Sequence, residues 1–228
     1  MQNALIAFQQ LLYDQLVPEF CGDPKRRCDP STFNRASVRV SEHDAHYFLK
    51  AWEGGLLRHA GRGIYHASRG AAGEQFFWTG RNVPGARSFS LWLEPIITVA
   101  ALARLHFDFE WPQDLIGTQS VDWSFDLVAF RPDMRDEWIA GEVKKTKGEV
   151  DQLLALMEAF GRDPSLPIPA SGKARNAYKK VAGLRARRAP VFWAVGPDGL
   201  SKVYLAEYRD DDVIQLVEQA NALHFDAR

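Results

Sequence analysis

The chain has little of what marks a secreted, membrane or polycationic protein. Two cysteines in 228 residues are too few for a disulfide framework, so we expect a reducing, cytoplasmic setting. No apolar run approaches the ~18 residues of a membrane span, and the first 20 residues lack the basic start of a signal peptide. Lysine and arginine number 28 against 29 acidic residues, which excludes a histone-like polycation.

Several catalytic and metal motifs are also missing. The sequence contains no GxxxxGK[ST], HExxH or GxSxG, so ATP-driven translocation by this chain is not expected. Cys21 and Cys28, with His43 and His46, offer four zinc ligands, but the cysteine spacing exceeds the usual two to four residues. Two ordinary thiols are the simpler interpretation, and zinc binding stays open.

What is present is the composition of a globular chain, 46% hydrophobic and 25% charged, long enough to bury a core unaided. The apolar periodicity predicts helices over 3–17 (ended by Pro18), 42–58, 90–105, 148–160, 173–188 and 211–222. Strands are predicted over 121–130, 137–145, 191–195 and 203–208. We expect an α/β fold with a mixed β-sheet core flanked by helices over 89–228, preceded by a mainly helical N-terminal elaboration over 1–88 with turns at 21–40.

Charge is divided unevenly along the chain. Residues 89–140 carry nine acidic and three basic side chains, whereas 141–188 carry eleven basic and five acidic ones. A metal-dependent enzyme acting on a polyanion needs this combination, because carboxylates hold the cation and basic residues hold the phosphates. The alternative is that neighbouring segments neutralise each other on the surface.

Polar side chains interrupt two otherwise apolar predicted strands. Glu142 and Lys144 lie two residues apart, so both face the same side of the sheet. On the preceding strand, Asp126 shares a face with Asp122 and Ser124. If the strands pair, Asp126 and Glu142 converge and favour a divalent cation, while Lys144 is placed to orient a water or stabilise developing charge. The alternative is an exposed polar edge.

The spacing of these residues resembles a known motif. Asp126, fifteen intervening residues and then Glu142-Val143-Lys144 are similar to the D…ExK motif of the PD-(D/E)xK nuclease superfamily. The resemblance covers 90–208 and includes the hairpin and the helix that follows it. It implies a restriction-endonuclease-like fold.

The resemblance also implies site residues and a cofactor. Asp126, Glu142 and Lys144 would be catalytic, and Glu94, Asp126 and Glu142 would bind Mg²⁺ or Mn²⁺. Glu94 matches a helical glutamate found in many members, although an acid in a first helical turn also suits the helix dipole. Phe125 stands where the motif name places proline, a departure that many members share.

The predicted helix at 173–188 carries seven cations and no acid. Next to a metal site, such a helix favours contact with a phosphate backbone, although a solvated basic face is the alternative. The residues expected to contact nucleic acid are Lys145, Lys173, Arg175, Lys179 and Lys180.

These observations together predict a metal-dependent endonuclease that hydrolyses DNA, in restriction, repair or phage defence. The alternative is a catalytically inactive nucleic-acid-binding or scaffold protein with the same fold. A glycosidase built on two carboxylates explains neither the lysine nor the basic helix. RNA as substrate, and a homodimer or partner subunit, stay open. Residues 1–88 are expected to supply substrate choice or a partner surface and no catalytic group.

Overall fold

A computed structural model describes residues 3–133, 135–209 and 212–225 and is a mixed α/β structure. The α-helices are α1 (Ala4–Leu11), α2 (Val17–Cys21), α3 (Glu42–Glu53), α4 (Leu93–Phe107), α5 (Lys147–Arg162) and α6 (Gly172–Arg187). The strands are β1 (Cys28–Asn34), β2 (Arg58–His59), β3 (Tyr65–His66), β4 (Phe77–Thr79), β5 (Arg87–Leu91), β6 (Ile116–Thr118), β7 (Leu127–Ala129), β8 (Ile139–Val143), β9 (Val191–Val195), β10 (Ser201–Tyr208) and β11 (Ile214–Glu218). No helix among the described residues is long and apolar enough to cross a membrane.

The central sheet has the strand order β11-β10-β9-β8-β7-β6. The strands β8 and β9 are parallel, whereas the other neighbouring pairs are antiparallel. A parallel pair needs a crossover connection, and α5 and α6 provide it. The two helices therefore cover one face of the sheet.

The side chains on the two faces of the sheet pack into two different hydrophobic cores. Leu127 and Val143 pack in the core that includes α4, whereas Val128 and Ala140 pack with the buried side chains of α5 and α6. Because side chains alternate along a strand, Glu142 lies on the face of Ala140. The site thus forms beneath α5 and α6.

The N-terminal segment adds helices and also a three-stranded sheet, β1-β5-β4, with β1 in the region expected to be turns. Its buried side chains Phe8, Phe48 and Phe77 belong to the same core as Ile97 of α4. The division at residue 88 remains a prediction. A fragment beginning there would lose the apolar surface that α3 packs against α4.

Most of the predicted elements are confirmed. The helices expected at 42–58, 90–105, 148–160 and 173–188 correspond to α3, α4, α5 and α6. The strands expected at 137–145, 191–195 and 203–208 correspond to β8, β9 and β10. The antiparallel pairing of β7 and β8 confirms the predicted hairpin.

The first helix does not end at Pro18. A π-helical turn, Leu12–Leu16, joins α1 to α2, and α2 continues to Cys21. A proline in a regular helix interior clashes with the preceding turn and removes a hydrogen bond. The wider π turn directly before Pro18 accommodates both effects, so the chain stays helical.

The helix predicted at 211–222 is wrong over its described residues. Ile214–Glu218 forms β11, which pairs antiparallel with β10, and a 3₁₀ turn follows at Ala220–Leu223. The apolar residues here fit the helical period as well as the strand period. Hydrogen bonding to the open edge of β10 decides in favour of the strand.

Candidate active site

The β7–β8 hairpin brings Asp126 to Glu142. Leu127 lies opposite Gly141, and the Asp126 amide donates to the Gly141 carbonyl at 3.0 Å. One carboxylate oxygen of Asp126, Oδ2, accepts from the Val143 amide at 3.0 Å. Glycine at position 141 suits this close pairing, because a Cβ there would lie 3.0 Å from the Leu127 Cβ, tighter than an ordinary van der Waals contact.

Glu142 is a buried carboxylate that contacts two lysines. Its side chain is 2% exposed; Oε1 lies 2.5 Å from Lys144 Nζ and Oε2 lies 2.5 Å from Lys180 Nζ. Burial and the charge of Asp126 raise the pKa of Glu142 to about 7, and the two ammonium groups oppose that shift. Two carboxylates and two lysines therefore form a charge-balanced cluster, the condition under which buried charges are tolerated.

Lys180 lies inside this cluster and not on the exposed face where we expected it. The residue is 5% exposed, and its ammonium also donates to the Ser124 carbonyl. Ala177, Val181 and Leu184 are the buried residues of α6 around it, so helical spacing turns Lys180 toward the sheet. Lys180 therefore contacts Glu142 instead of the phosphate backbone that we expected it to bind.

The other residues expected to bind nucleic acid lie closer to solvent. Lys145, Lys173 and Lys179 are exposed. Arg175 is half-buried, and its guanidinium donates to the Pro169 carbonyl at 3.3 Å. Of the five residues expected to contact nucleic acid, the three exposed ones are thus Lys145, Lys173 and Lys179.

Asp122 does not share a strand face with Asp126, because residues 120–124 form a turn. Its carboxylate accepts hydrogen bonds from the hydroxyls of Ser120 and Ser124 and pairs with Arg187 at 2.6 Å. Although burial raises the pKa of Asp122, these hydrogen bonds lower it overall. Arg187 also pairs with the buried Glu137 at 2.9 Å, so this part of the basic helix is structural.

Glu94, at the start of α4, lies beside Lys144 in a cavity of about 180 Å³. Its Oε2 accepts from Trp92 Nε1 at 3.1 Å. Within the described ranges, no group of three or more His, Cys, Asp or Glu side chains converges as a metal site. The three-ligand group of Glu94, Asp126 and Glu142 that the resemblance implies therefore stays a prediction.

The possible zinc ligands near the N-terminus are likewise not assembled into a site in the part of the chain that is described. Cys21 and Cys28 are free thiols. Burial and the neighbouring Cys28 raise the pKa of Cys21 to about 11, which disfavours the thiolate that binds metal. His43 and His46 both pack against the ring of Tyr47.

Sequence reasoning missed Glu74, a buried carboxylate contributed by the N-terminal segment. Glu74 is 5% exposed, and its Oε1 accepts from Gln119 Nε2 at 3.3 Å. The backbone N–H of Gln119 in turn donates to the backbone carbonyl of Asp126 at 2.9 Å. Burial raises the pKa of Glu74 to about 7, and the charge of Asp126 adds to that shift. A lone glutamate in a glycine-rich segment gives no sequence signal of this placement.

Replacing Glu74 by glutamine is expected to stabilise the protein at pH 8 and to leave it nearly unchanged at pH 4.5. The pKa of Glu74 is about 7 in the folded state, against its ordinary value of 4.5, so between these values the folded protein binds one proton more than the unfolded chain. Stability therefore falls as the pH rises through this window, by on the order of 2–3 kcal/mol for this group. Denaturant unfolding in EDTA at both pH values measures the difference.

The matched control for this experiment is Glu53→Gln, which changes an exposed glutamate at the end of α3. It should shift the free energy of unfolding by at most about 0.5 kcal/mol at either pH. If Glu74→Gln behaved like this control at pH 8, Glu74 would not be a strained buried carboxylate.

Comparisons of the chain with protein-family models, curated proteins and solved structures find no match. The mixed α/β architecture is observed, whereas the restriction-endonuclease-like fold remains an expectation. The function is therefore argued from the chemistry of the site.

Proposed function

We propose that this chain is a metal-dependent nuclease that hydrolyses phosphodiester bonds in DNA. The observation that carries the proposal is the meeting of Asp126, Glu142 and Lys144 at one end of the β7–β8 hairpin. Two carboxylates with substrate phosphates and waters are a typical Mg²⁺ ligand set. The superfamily resemblance of the D…ExK spacing supports the same proposal.

The side chains present fit Mg²⁺ or Mn²⁺. Asp126 and Glu142 supply oxygen ligands, which these hard cations prefer. The charge of Asp126 raises the pKa of Glu142, so a cation shared by the two carboxylates would relieve their repulsion. When bound, it would lower the pKa of a water and stabilise charge on the attacked phosphate.

The two lysines take different roles in this proposal. Lys144 donates to Glu142 and to the Val143 carbonyl, and it also lines the cavity beside Glu94. It can therefore reach a water or phosphate oxygen in that cavity. Lys180 is enclosed between Glu142 and Ser124, so it positions the carboxylate.

One observation favours the competing function, a nucleic-acid-binding scaffold without catalysis. Both carboxylate oxygens of Glu142 already contact lysine ammonium groups, and a cation would have to compete with them. Such a protein would bind DNA in the presence or absence of Mg²⁺ and would leave it intact.

A plasmid-nicking assay separates the two functions. Supercoiled DNA is incubated with the protein in Mg²⁺ or in EDTA, and binding is followed in parallel by gel shift. The nuclease proposal expects nicked or linear product in Mg²⁺ alone. Binding without product in any divalent cation would favour the scaffold, and single-stranded RNA in the same assay tests the alternative substrate.

Replacing Lys179 by glutamate is expected to flatten the slope of log affinity for DNA against log salt by about one unit. Lys179 is exposed on α6 next to the turn that precedes Asp126, and each neutralised phosphate contributes about −0.9 to the slope of log affinity against log salt. Anisotropy titrations in Ca²⁺ at several salt concentrations give the slope. Lys25→Glu, an exposed change in the N-terminal segment, is the control, and equal slopes in both variants would remove α6 from the DNA-binding surface.

A further inference from the structure

Two large aromatic side chains lie exposed against each other near the candidate active site. Trp78 is 65% exposed and Trp92 is 37% exposed. Their ring centroids are 5.8 Å apart and their planes meet at 77°. An exposed pair of this kind is informative because soluble proteins seldom expose contiguous large apolar groups without a binding role.

The pair is held by structured elements on both sides. Trp78 lies in β4 opposite Ser90 of β5, and Trp92 directly follows β5 as the residue before α4. Their neighbours Phe77 and Leu91 are buried in the core. The pair is therefore displayed on a fixed hairpin and not on a free loop.

Glu94 contacts the tryptophan pair and lines the same cavity as Lys144. Trp92 Nε1 donates to Glu94 Oε2 at 3.1 Å, and Glu94 and Lys144 line the same cavity of about 180 Å³. Further along the cavity, Lys173 and Asn176 of α6 supply a cation and an amide. An aromatic surface thus adjoins a pocket that carries groups for phosphates and base edges.

We propose that the Trp78–Trp92 pair stacks on an unpaired base next to the scissile phosphate, so that the substrate is single-stranded or locally unwound DNA. This inference rests on the proposed nuclease function. Tryptophan rings accept any base by its π-face, and lysines of the adjoining pocket hold the backbone. In an intact duplex both faces of each base are already covered by neighbouring bases, so the pair would be left without a partner.

The chemistry of the occupant can be separated from simple hydrophobic docking. Trp78→Leu keeps an apolar side chain but removes the π-face, whereas Trp78→Phe keeps a smaller aromatic ring. Both changes are at an exposed site, so neither should disturb the fold. Phe107→Leu is the control, since Phe107 is 39% exposed and lies at the last residue of α4, the opposite end of that helix from Glu94.

The experiment measures Kd by fluorescence anisotropy for a labelled single-stranded oligonucleotide and for its duplex, in Ca²⁺ without Mg²⁺. We expect the single strand to bind more tightly. We expect Trp78→Leu to weaken single-strand binding about tenfold, as for loss of one stacked base, with Trp78→Phe intermediate. Duplex binding by Trp78→Leu, and single-strand binding by the Phe107→Leu control, should change less than about twofold, since the π-face of Trp78 acts only on an unpaired base.

Equal affinity for the duplex and the single strand would overturn the inference, as would equal losses in Trp78→Leu and Phe107→Leu. No binding to either oligonucleotide would overturn it as well. These results are distinct from a failure of the proposed function, which is the absence of Mg²⁺-dependent cleavage. A protein that cleaves duplex plasmid and shows no Trp78 effect would keep the nuclease proposal and lose this one.

Discussion

Replacing Asp126 by asparagine is expected to lower the rate of Mg²⁺-dependent DNA cleavage about a thousandfold or more. The change removes one of the two carboxylates proposed to hold the cation, while leaving an oxygen that can still accept from the Val143 amide at the position of Oδ2. Stabilisation of transition-state charge by a bound cation is worth several kcal/mol, and each 1.36 kcal/mol is a factor of about ten in rate. Initial rates of plasmid nicking measure the effect.

The matched control is Asp151→Asn, on α5. Asp151 is a surface acid whose side chain is 41% exposed and pairs with Lys147 and Lys202, so its loss removes the same charge without touching the hairpin. Its nicking rate should stay within about twofold of the unchanged protein, since exposed ion pairs contribute little. If Asp126→Asn cleaved as fast as this control, Asp126 would have no part in the chemistry.

Replacing Lys180 by alanine is expected to lower the free energy of unfolding by about 3 kcal/mol or more at neutral pH. Lys180 contacts Oε2 of Glu142, and both side chains are nearly excluded from solvent. Removing one partner of a buried ion pair leaves a buried charge insufficiently compensated, which typically costs about 3–5 kcal/mol. Urea unfolding at constant m-value measures the loss.

Two further variants separate the ion pair from a general effect on α6. Lys179→Ala changes the exposed neighbouring lysine and should alter stability by at most about 0.5 kcal/mol. Adding Glu142→Gln to Lys180→Ala removes the stranded charge and should recover part of the loss. If the double variant lost as much free energy of unfolding as Lys180→Ala and Glu142→Gln lose separately, added together, the two residues would not be coupled.

The sequence made the centre of the site predictable because its signal is local. Two largely apolar segments with alternating side chains, separated by a turn, predict the hairpin. The period of two along a strand then places Glu142 and Lys144 on one face. Asp126 then needs only the register of that hairpin to reach Glu142. Each of these steps spans fewer than about 20 residues, the range over which periodicity and turn signals are informative.

The positions of Lys180 and Glu74 depend on packing between elements that are distant in the sequence. Lys180 is one cation among seven in the segment 173–188, and its burial follows from how α6 crosses the sheet. Glu74 reaches Gln119 because the segment after β3 lies against β6, where a Cβ on Gly117 would approach the Gly70 amide nitrogen to 2.4 Å. Alternation alone predicts a strand over 121–130, but Asp122 accepts hydrogen bonds from the hydroxyls of Ser120 and Ser124, which favour a turn over its first residues.

The most direct test of the central claim is a calorimetric titration of Mn²⁺ into the protein and into the double variant Asp126→Asn, Glu142→Gln. The claim is that these two carboxylates together hold a divalent cation. It predicts a saturable binding event in the unchanged protein that is absent from the double variant. Identical Mn²⁺ binding by both proteins, or no binding by the unchanged protein with DNA present, would contradict the account.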